Sequence, residues 1–197
     1  MSIVGILLAG GRSQRYGSAN KLAAYGHDSI AIGLKAAANL SFAVDELLVV
    51  VSVDQASSGE LFRDHYEVSY CAESRNGIGH SIAHGVAERP SADGWLIALA
   101  DMPYIQPATM IELAASINSP LSIVRPRVEG RAGHPVGFGS SYFGELKLLQ
   151  GDLGAQSIIN KHAEFVTFLD TEDKGVVLDI DRPADLALHV DKLADSL

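Results

Sequence analysis

Three stretches of this chain hold side chains that could act on a phosphorylated ligand. The first, Leu7 to Lys21, reads LLAGGRSQRYGSANK. Gly10, Gly11 and Gly17 permit tight turns and close backbone approach, while Arg12, Arg15 and Lys21 gather positive charge. A glycine-rich loop presents successive backbone N–H groups as an anion nest, and Arg and Lys add charge-assisted bonds to phosphate oxygens. The competing reading is an ordinary basic surface turn. Ser18 follows Gly17 where a Walker loop needs Lys and then Ser or Thr, and the spacing is not that of the GxGxxG dinucleotide fingerprint.

The second stretch, ALADMPYIQP from Ala98 to Pro107, ends an apolar run at Asp101. In a parallel α/β sheet, a carboxylate at a strand's C-terminal end faces the ligand crevice. Mg²⁺ takes few protein carboxylates plus substrate phosphate oxygens, so Asp101 opposite a phosphate loop suits it. Asp101 could equally cap the helix from Pro107 or start a turn before Pro103. The third stretch, VLDIDRPADL from Val177 to Leu186, puts Asp179 and Asp181 on one side of a strand. Two aligned carboxylates repel unless a cation lies nearby. Asp181 also precedes Arg182 and Pro183, a pattern that fits a plain helix N-cap.

Other candidates carry less chemistry. In NGIGHSIAHGV, Asn76 to Val86, Gly77, Gly79 and Ser81 open a helix whose N-terminal N–H groups favour an anion or a base edge. His80 and His84 stand at i and i+4, but with no HExxH glutamate and no third ligand nearby they read as helix-surface histidines. Arg131 and His134 lie among glycines in GRAGHPVGFG, Gly130 to Gly139, whose bland reading is a hairpin turn. Cys71 reads as a small buried residue, not a nucleophile, and no GxSxG elbow is present.

The elements that must position these residues are legible from periodicity. Apolar runs at Ile3 to Leu8, Leu47 to Val53, Trp95 to Leu99 and Leu121 to Val124 are strand-length. Between and after them, helical periodicity predicts helices over Ile30 to Leu40, Ser81 to Glu88, Thr109 to Ile117, Ala155 to Lys161 and Pro183 to Leu193. Strands apolar on both faces, alternating with helices, predict a mostly parallel sheet covered on both sides. The segment Val128 to Gly139, with four glycines, is expected to project as a hairpin or lid.

Composition bounds the rest. The 197 residues are 47% hydrophobic, enough for one compact domain spanning 1–197 with a real core and no metal or disulfide staple. Fifteen Lys and Arg against 24 Asp and Glu give a formal charge of −9. An acidic surface without a basic stripe disfavours nucleic-acid binding. No apolar run approaches the roughly 20 residues of a membrane span. A single cysteine and no readable secretory signal lead to the expectation of a cytoplasmic protein.

Taken in order, LLAGGRSQRYGSANK, NGIGHSIAHGV, LADMPYI, GRAGHPVGF, GDLGAQSII and LDIDRPADL resemble the molybdenum cofactor nucleotidyltransferases over nearly the whole chain. The segments at Gly133 to Val136 and Gly151 to Ala155 are most similar to the cytidylyltransferase branch. The spelling Leu8-Ala9-Gly10-Gly11 is that of the guanylyl branch, and Tyr16 stands where the family usually has methionine. The resemblance implies a Rossmann-like three-layer α/β nucleotidyltransferase fold. It further implies that Leu8 to Ser13, with Arg12, Arg15 and Lys21, wraps the triphosphate of CTP or GTP. By the same resemblance Asp101 carries Mg²⁺ with Asp181 as second ligand, Gly79 and Ser81 contact base or ribose, and Arg131 and His134 lie toward a molybdopterin-type substrate. The implied reaction joins a nucleoside monophosphate to that acceptor with release of pyrophosphate, and a molybdoenzyme or its chaperone would receive the product. A sugar-phosphate transferase, a non-catalytic cofactor carrier and an NADH-dependent reductase on the same scaffold are the competing expectations.

Overall fold

The computed structural model describes residues 1–11, 16, 20–26 and 29–186. The chain runs through β1 (Ile3–Leu8), α1 (Ile32–Ser41), β2 (Glu46–Ser52), α2 (Ala56–Arg63), β3 (Glu67–Cys71), α3 (Ile78–Ala87), β4 (Gly94–Leu99) and α4 (Pro107–Ser116). It continues through β5 (Ile123–Val128), β6 (Arg131–Ala132), β7 (Val136–Gly139), α5 (Phe143–Leu146), α6 (Gln156–Lys161) and β8 (Val166–Asp170). One sheet contains all eight strands in the order β3-β2-β1-β4-β7-β5-β6, with β8 also on β5.

Pairing is parallel from β3 through β4 and between β5 and β8, and antiparallel where β7 meets β4 and β5 and where β6 meets β5. The expected mostly parallel α/β sheet is therefore present. Every residue of β1 is buried, because alternate side chains enter two cores. Ile3 and Leu7 join α1, α2 and α4 through Ala36, Leu40, Phe62, Met110 and Leu113. Val4, Ile6 and Leu8 join α3, α5 and α6 through Ile82, Val86, Leu146 and Ile158. This is why the strand sequence is continuously apolar, and it makes the molecule three layers deep.

The structure moves several expected boundaries. The segment Val128 to Gly139 is not a projecting lid. Only its tip is a hairpin, turned at Glu129 and Gly130, which both have positive φ as a two-residue turn of this hand requires. Its second half, β7, is buried between β4 and β5. The strand expected over Leu121 to Val124 instead spans Ile123–Val128, and α3 starts three residues earlier than Ser81. The sequence also left α2, β3 and β8 unassigned. Most of the helix expected over Pro183 to Leu193 lies outside the described residues. No helix among those described is long and apolar enough to cross a membrane.

Candidate functional site

β1 and β4 lie side by side and end together, with Leu8 opposite Leu99. Past these ends the chain opens a cavity of about 520 Å³, within the range of small-molecule sites. Its wall includes Leu8, Ala9, Gly10 and Gly11 from the first loop, Lys21 and Leu22, and Asp101 and Asp181. Ser74, Arg75, Gly77, Ile78 and Ser81 close the α3 side, where Asp152 joins them.

Lys21 is placed by a short 3-10 turn, Lys21–Ala23, capped by Asn20, whose side-chain oxygen accepts from Leu22 N at 3.1 Å. The lysine is only 6% exposed. Its Nζ donates to Asp101 Oδ2 at 2.8 Å and stands 3.9 Å from Asp181 Oδ1. Asp101 follows β4, and its carbonyl accepts from Ile180 N at 2.9 Å, which ties the late LDIDRP segment across the strand end. The sequence's alternative for Asp101, capping the helix from Pro107, is not what the structure has. The cap residue of α4 is Gln106, whose N–H goes to buried Asp173 at 2.8 Å. Asp181 turns its carboxylate toward Lys21, while Asp185 Oδ2 accepts from the N–H groups of Asp181 and Arg182.

The other wall is built by close backbone approach. Gly77, at φ 122°, precedes α3, and a Cβ there would lie 2.2 Å from the carbonyl carbon of Gly151. A Cβ on Gly79 would lie 2.8 Å from Gln150. Gly79 N donates to Gly151 O at 2.9 Å, so the 150–152 loop is clamped onto the start of α3. This brings Asp152 to the cavity and explains the glycine spacing that sequence reading assigned to ligand contact. Ser81 is buried in the first turn of α3, and Ser74 Oγ is buried with no hydrogen-bond partner among the described residues. Ser74, Arg75 and Asp152 were not singled out from sequence; Asp152 lay within a recognised segment, GDLGA, without a role.

Leu8, Ala9, Gly10, Gly11, Lys21, Ser81, Asp101 and Asp181 are thus brought together around one cavity. Arg12, Ser13 and Arg15 lie outside the described residues. Gly79 supports the wall through Gln150 and Gly151 and does not line the cavity. Arg131 is exposed at the hairpin tip and does not line the cavity. His134 lies just ahead of β7, where burial and nearby Arg125 push its pKa down to about 4. Of the two histidines on α3, His84 pairs through Nε2 with Ser69 Oγ at 2.7 Å. Among the described residues no group of three His, Cys, Asp or Glu is arranged to hold a metal. Cys71 is buried, its pKa raised by desolvation, and its Sγ contacts the carbonyl of His80 at 3.7 Å.

A buried ammonium between two carboxylates, beside glycine backbone and the start of a ten-residue helix, is a geometry for a polyanion accompanied by a divalent cation. The donor set fits Mg²⁺, which takes hard oxygens from one or two carboxylates and completes its shell with phosphate and water.

The chain matches the family model described as a MobA-like NTP transferase domain over residues 5–165. It is similar to the purine catabolism protein PucB of Bacillus subtilis, with 32% identity over 194 residues and 92% of each chain covered. Among solved structures it resembles Rv0371c of Mycobacterium tuberculosis H37Rv, at 26% identity, with 97% of this chain and 98% of that one covered and a TM-score of 0.81. That protein is also solved in complex with manganese, at a TM-score of 0.74. The fold is shared with a nucleotidyl transferase from Methanothermobacter thermautotroptrophicus, with a TM-score of 0.83 at 17% identity, 100% of this chain and 99% of that one covered.

Proposed function

Because the chain belongs to the MobA-like NTP transferase family, we propose that it joins the nucleoside monophosphate of CTP to the terminal phosphate of a molybdopterin-type acceptor and releases pyrophosphate. The observation that carries this reading is Lys21 held between Asp101 and Asp181 at the mouth of a glycine-walled cavity.

The acceptor's phosphate oxygen forms a bond to the α-phosphorus as the α–β bridging bond breaks in line, and the electron pair leaves with pyrophosphate. The nucleophile is already anionic at neutral pH, so the protein has no proton to extract. Its work is to align two polyanions and offset their charge. Gly10 and Gly11, with Arg12 and Ser13, wrap the triphosphate. Lys21 and Arg15 face the charge that develops on the α-phosphate and the departing pyrophosphate. Ser81, in the first turn of α3, meets the base or ribose, with Gly79 holding that turn in place. Asp101 and Asp181 would hold Mg²⁺, which would neutralise phosphate charge when bound. That Rv0371c, a similar protein, is solved in complex with manganese supports the use of a divalent ion. His134 lies toward the acceptor, and Arg131 would reach it only from the hairpin tip. The 197 residues act as one transferase domain, since β8 completes the same sheet, and the lone buried Cys71 fits a reducing cytoplasm.

GTP is the second reading for the base, favoured by Leu8-Ala9-Gly10-Gly11. A thermal-shift panel of CTP, GTP, ATP and NADH with Mg²⁺ separates the possibilities, because a ligand that binds only the native state raises apparent stability. Selective stabilisation by CTP supports the proposal, and by GTP moves the base assignment. Stabilisation by NADH alone overturns transfer in favour of a reductase.

A further inference from the structure

Arg125 and Arg127 lie two residues apart on one face of β5, yet only one has a counter-ion. Arg127 forms a two-pronged pair with Asp170, Nε to Oδ1 at 2.6 Å and Nη2 to Oδ2 at 2.8 Å, and its guanidinium lies over the Phe168 ring. Arg125 has no ion pair among the described residues. Its Nη1 approaches Gln156 Oε1 at 3.5 Å and its Nη2 approaches Gly133 O at 3.4 Å, both at the weak limit of hydrogen bonding. Its Nε is buried with no partner among the described residues. Burial also lowers its pKa, so the charge sits here against a desolvation cost that no carboxylate among the described residues offsets.

His134 adjoins it. Nδ1 of His134 is buried without a partner among the described residues, and burial and Arg125 lower its pKa to about 4, so the ring is neutral at ordinary pH. An unpaired buried lone pair costs less than an unpaired buried N–H, so the favoured tautomer leaves Nδ1 bare and carries the proton on Nε2 as a donor. Asp179 is the nearby carboxylate, acting on His134 more weakly than burial and Arg125 do.

The register locates this pair. Ile97 of β4 faces Val136 of β7, and one step beyond the Val124–Gly137 pair places Arg125 opposite that same Val136. Arg125 therefore stands two strands, about 10 Å, from β4. Ile123, two residues before it, packs in the same core as Ile97 and Val136, and Leu99 of that face lines the cavity. A guanidinium with unfilled donors beside an N–H donor, across the strand ends from the triphosphate loop, is built for an oxyanion.

We infer that Arg125, with Nε2–H of His134, forms the acceptor subsite and takes the acceptor's terminal phosphate, so that it sets affinity for the acceptor and not for the nucleotide. This rests on the transferase reading above. Steady-state kinetics with molybdopterin and CTP test it in wild type, Arg125→Gln and Arg125→Lys. The expected result is an acceptor KM raised at least 10-fold in Arg125→Gln and to an intermediate value in Arg125→Lys, with the CTP KM within twofold of wild type. An unchanged acceptor KM, or an equal rise in both KM values, overturns the inference. If Arg125→Gln does not fold, Arg125→Lys decides alone, since it keeps the charge but loses the planar fork. If wild type makes no product with any NTP, the transferase reading fails separately. Titration with inorganic phosphate then reads the subsite without turnover: wild type is stabilised more than the variant, and equal stabilisation overturns the inference.

Discussion

Lys21 Nζ stands 2.8 Å from Asp101 Oδ2 and 3.9 Å from Asp181 Oδ1, so one buried ammonium joins carboxylates contributed 80 residues apart in sequence and by opposite parts of the chain. The two acids can lie this close because a cation lies between them. A divalent ion arriving with a triphosphate would take over that neutralisation and free Lys21 to turn its charge on the phosphates. The ligand-free ion pair and the proposed catalytic arrangement are thus two states of the same three side chains.

Asp101→Asn keeps the size of the side chain and removes the charge that pairs with Lys21 and that a bound divalent ion would share. Turnover is expected to fall by about 100-fold or more, in line with loss of a group that offsets transition-state charge. Initial-rate pyrophosphate release measures it. A variant within threefold of wild type at saturating Mg²⁺ removes Asp101 from this role.

Gly77→Ala should be costly on two grounds, since φ is 122° and the new Cβ would lie 2.2 Å from the Gly151 carbonyl carbon. Destabilisation of about 2 kcal/mol or more is expected, with weaker nucleotide binding as the 150–152 loop shifts. Gly11→Ala is the control, because a Cβ there meets nothing within 4 Å among the described residues. Chemical denaturation of both proteins checks the pair, and equal losses would contradict the packing argument.

Asp173 is buried and accepts from Gln106 N at 2.8 Å and Gly175 N at 2.9 Å, joining the start of α4 to the segment that leads to Asp181. Asp173→Ala strands both N–H groups and should cost about 2 to 3 kcal/mol, whereas Asp173→Asn, which keeps an acceptor oxygen, should cost less. Urea unfolding ranks the two, and the reverse order would show that the hydrogen bonds are not what the position needs.

His134 provides a pH test. Its pKa is lowered from 6.5 to about 4 on folding, so between those values the unfolded chain binds more protons and stability rises with pH. Acidification from pH 6.5 toward 4 should therefore erode stability, by up to about 1.4 kcal/mol per pH unit from this residue alone. Glu145 and Asp170, whose carboxyl pKa values are lowered from 4.5 and 3.8 by hydrogen bonds from Lys161 and Arg127, begin to lose their contribution as the pH falls toward those values, at the acid end of that window and below it, in wild type and variant alike. Unfolding curves at pH 4.5, 5.5 and 6.5 should be flatter for His134→Gln than for wild type, and identical slopes would remove His134 as the source.

What could be read from sequence follows burial. β1, β2 and β4 are apolar on both faces, so they declared themselves as strands and their ends located Asp101. β3 and β8 are short, mostly unburied strands and carry no apolar run. β7 is four residues with two glycines, and reads as a turn until β4 and β5 are known to flank it. Pro126 hid the second half of β5, and with it Arg125. It is tolerated because it lies past the last β5–β7 pair, where a missing N–H breaks no ladder bond. The Lys21–Asp101–Asp181 cluster was legible as three motifs, but its closure around one ammonium was not, because side chains 80 residues apart meet only through the sheet.

Direct product analysis tests the central claim. Purified protein with molybdopterin, Mg²⁺ and either CTP or GTP should release pyrophosphate and form a pterin dinucleotide in equal amounts, faster with CTP, and Asp101→Asn should nearly abolish both products. Nucleotide binding without pyrophosphate or dinucleotide from either NTP would contradict the account and leave a carrier in its place.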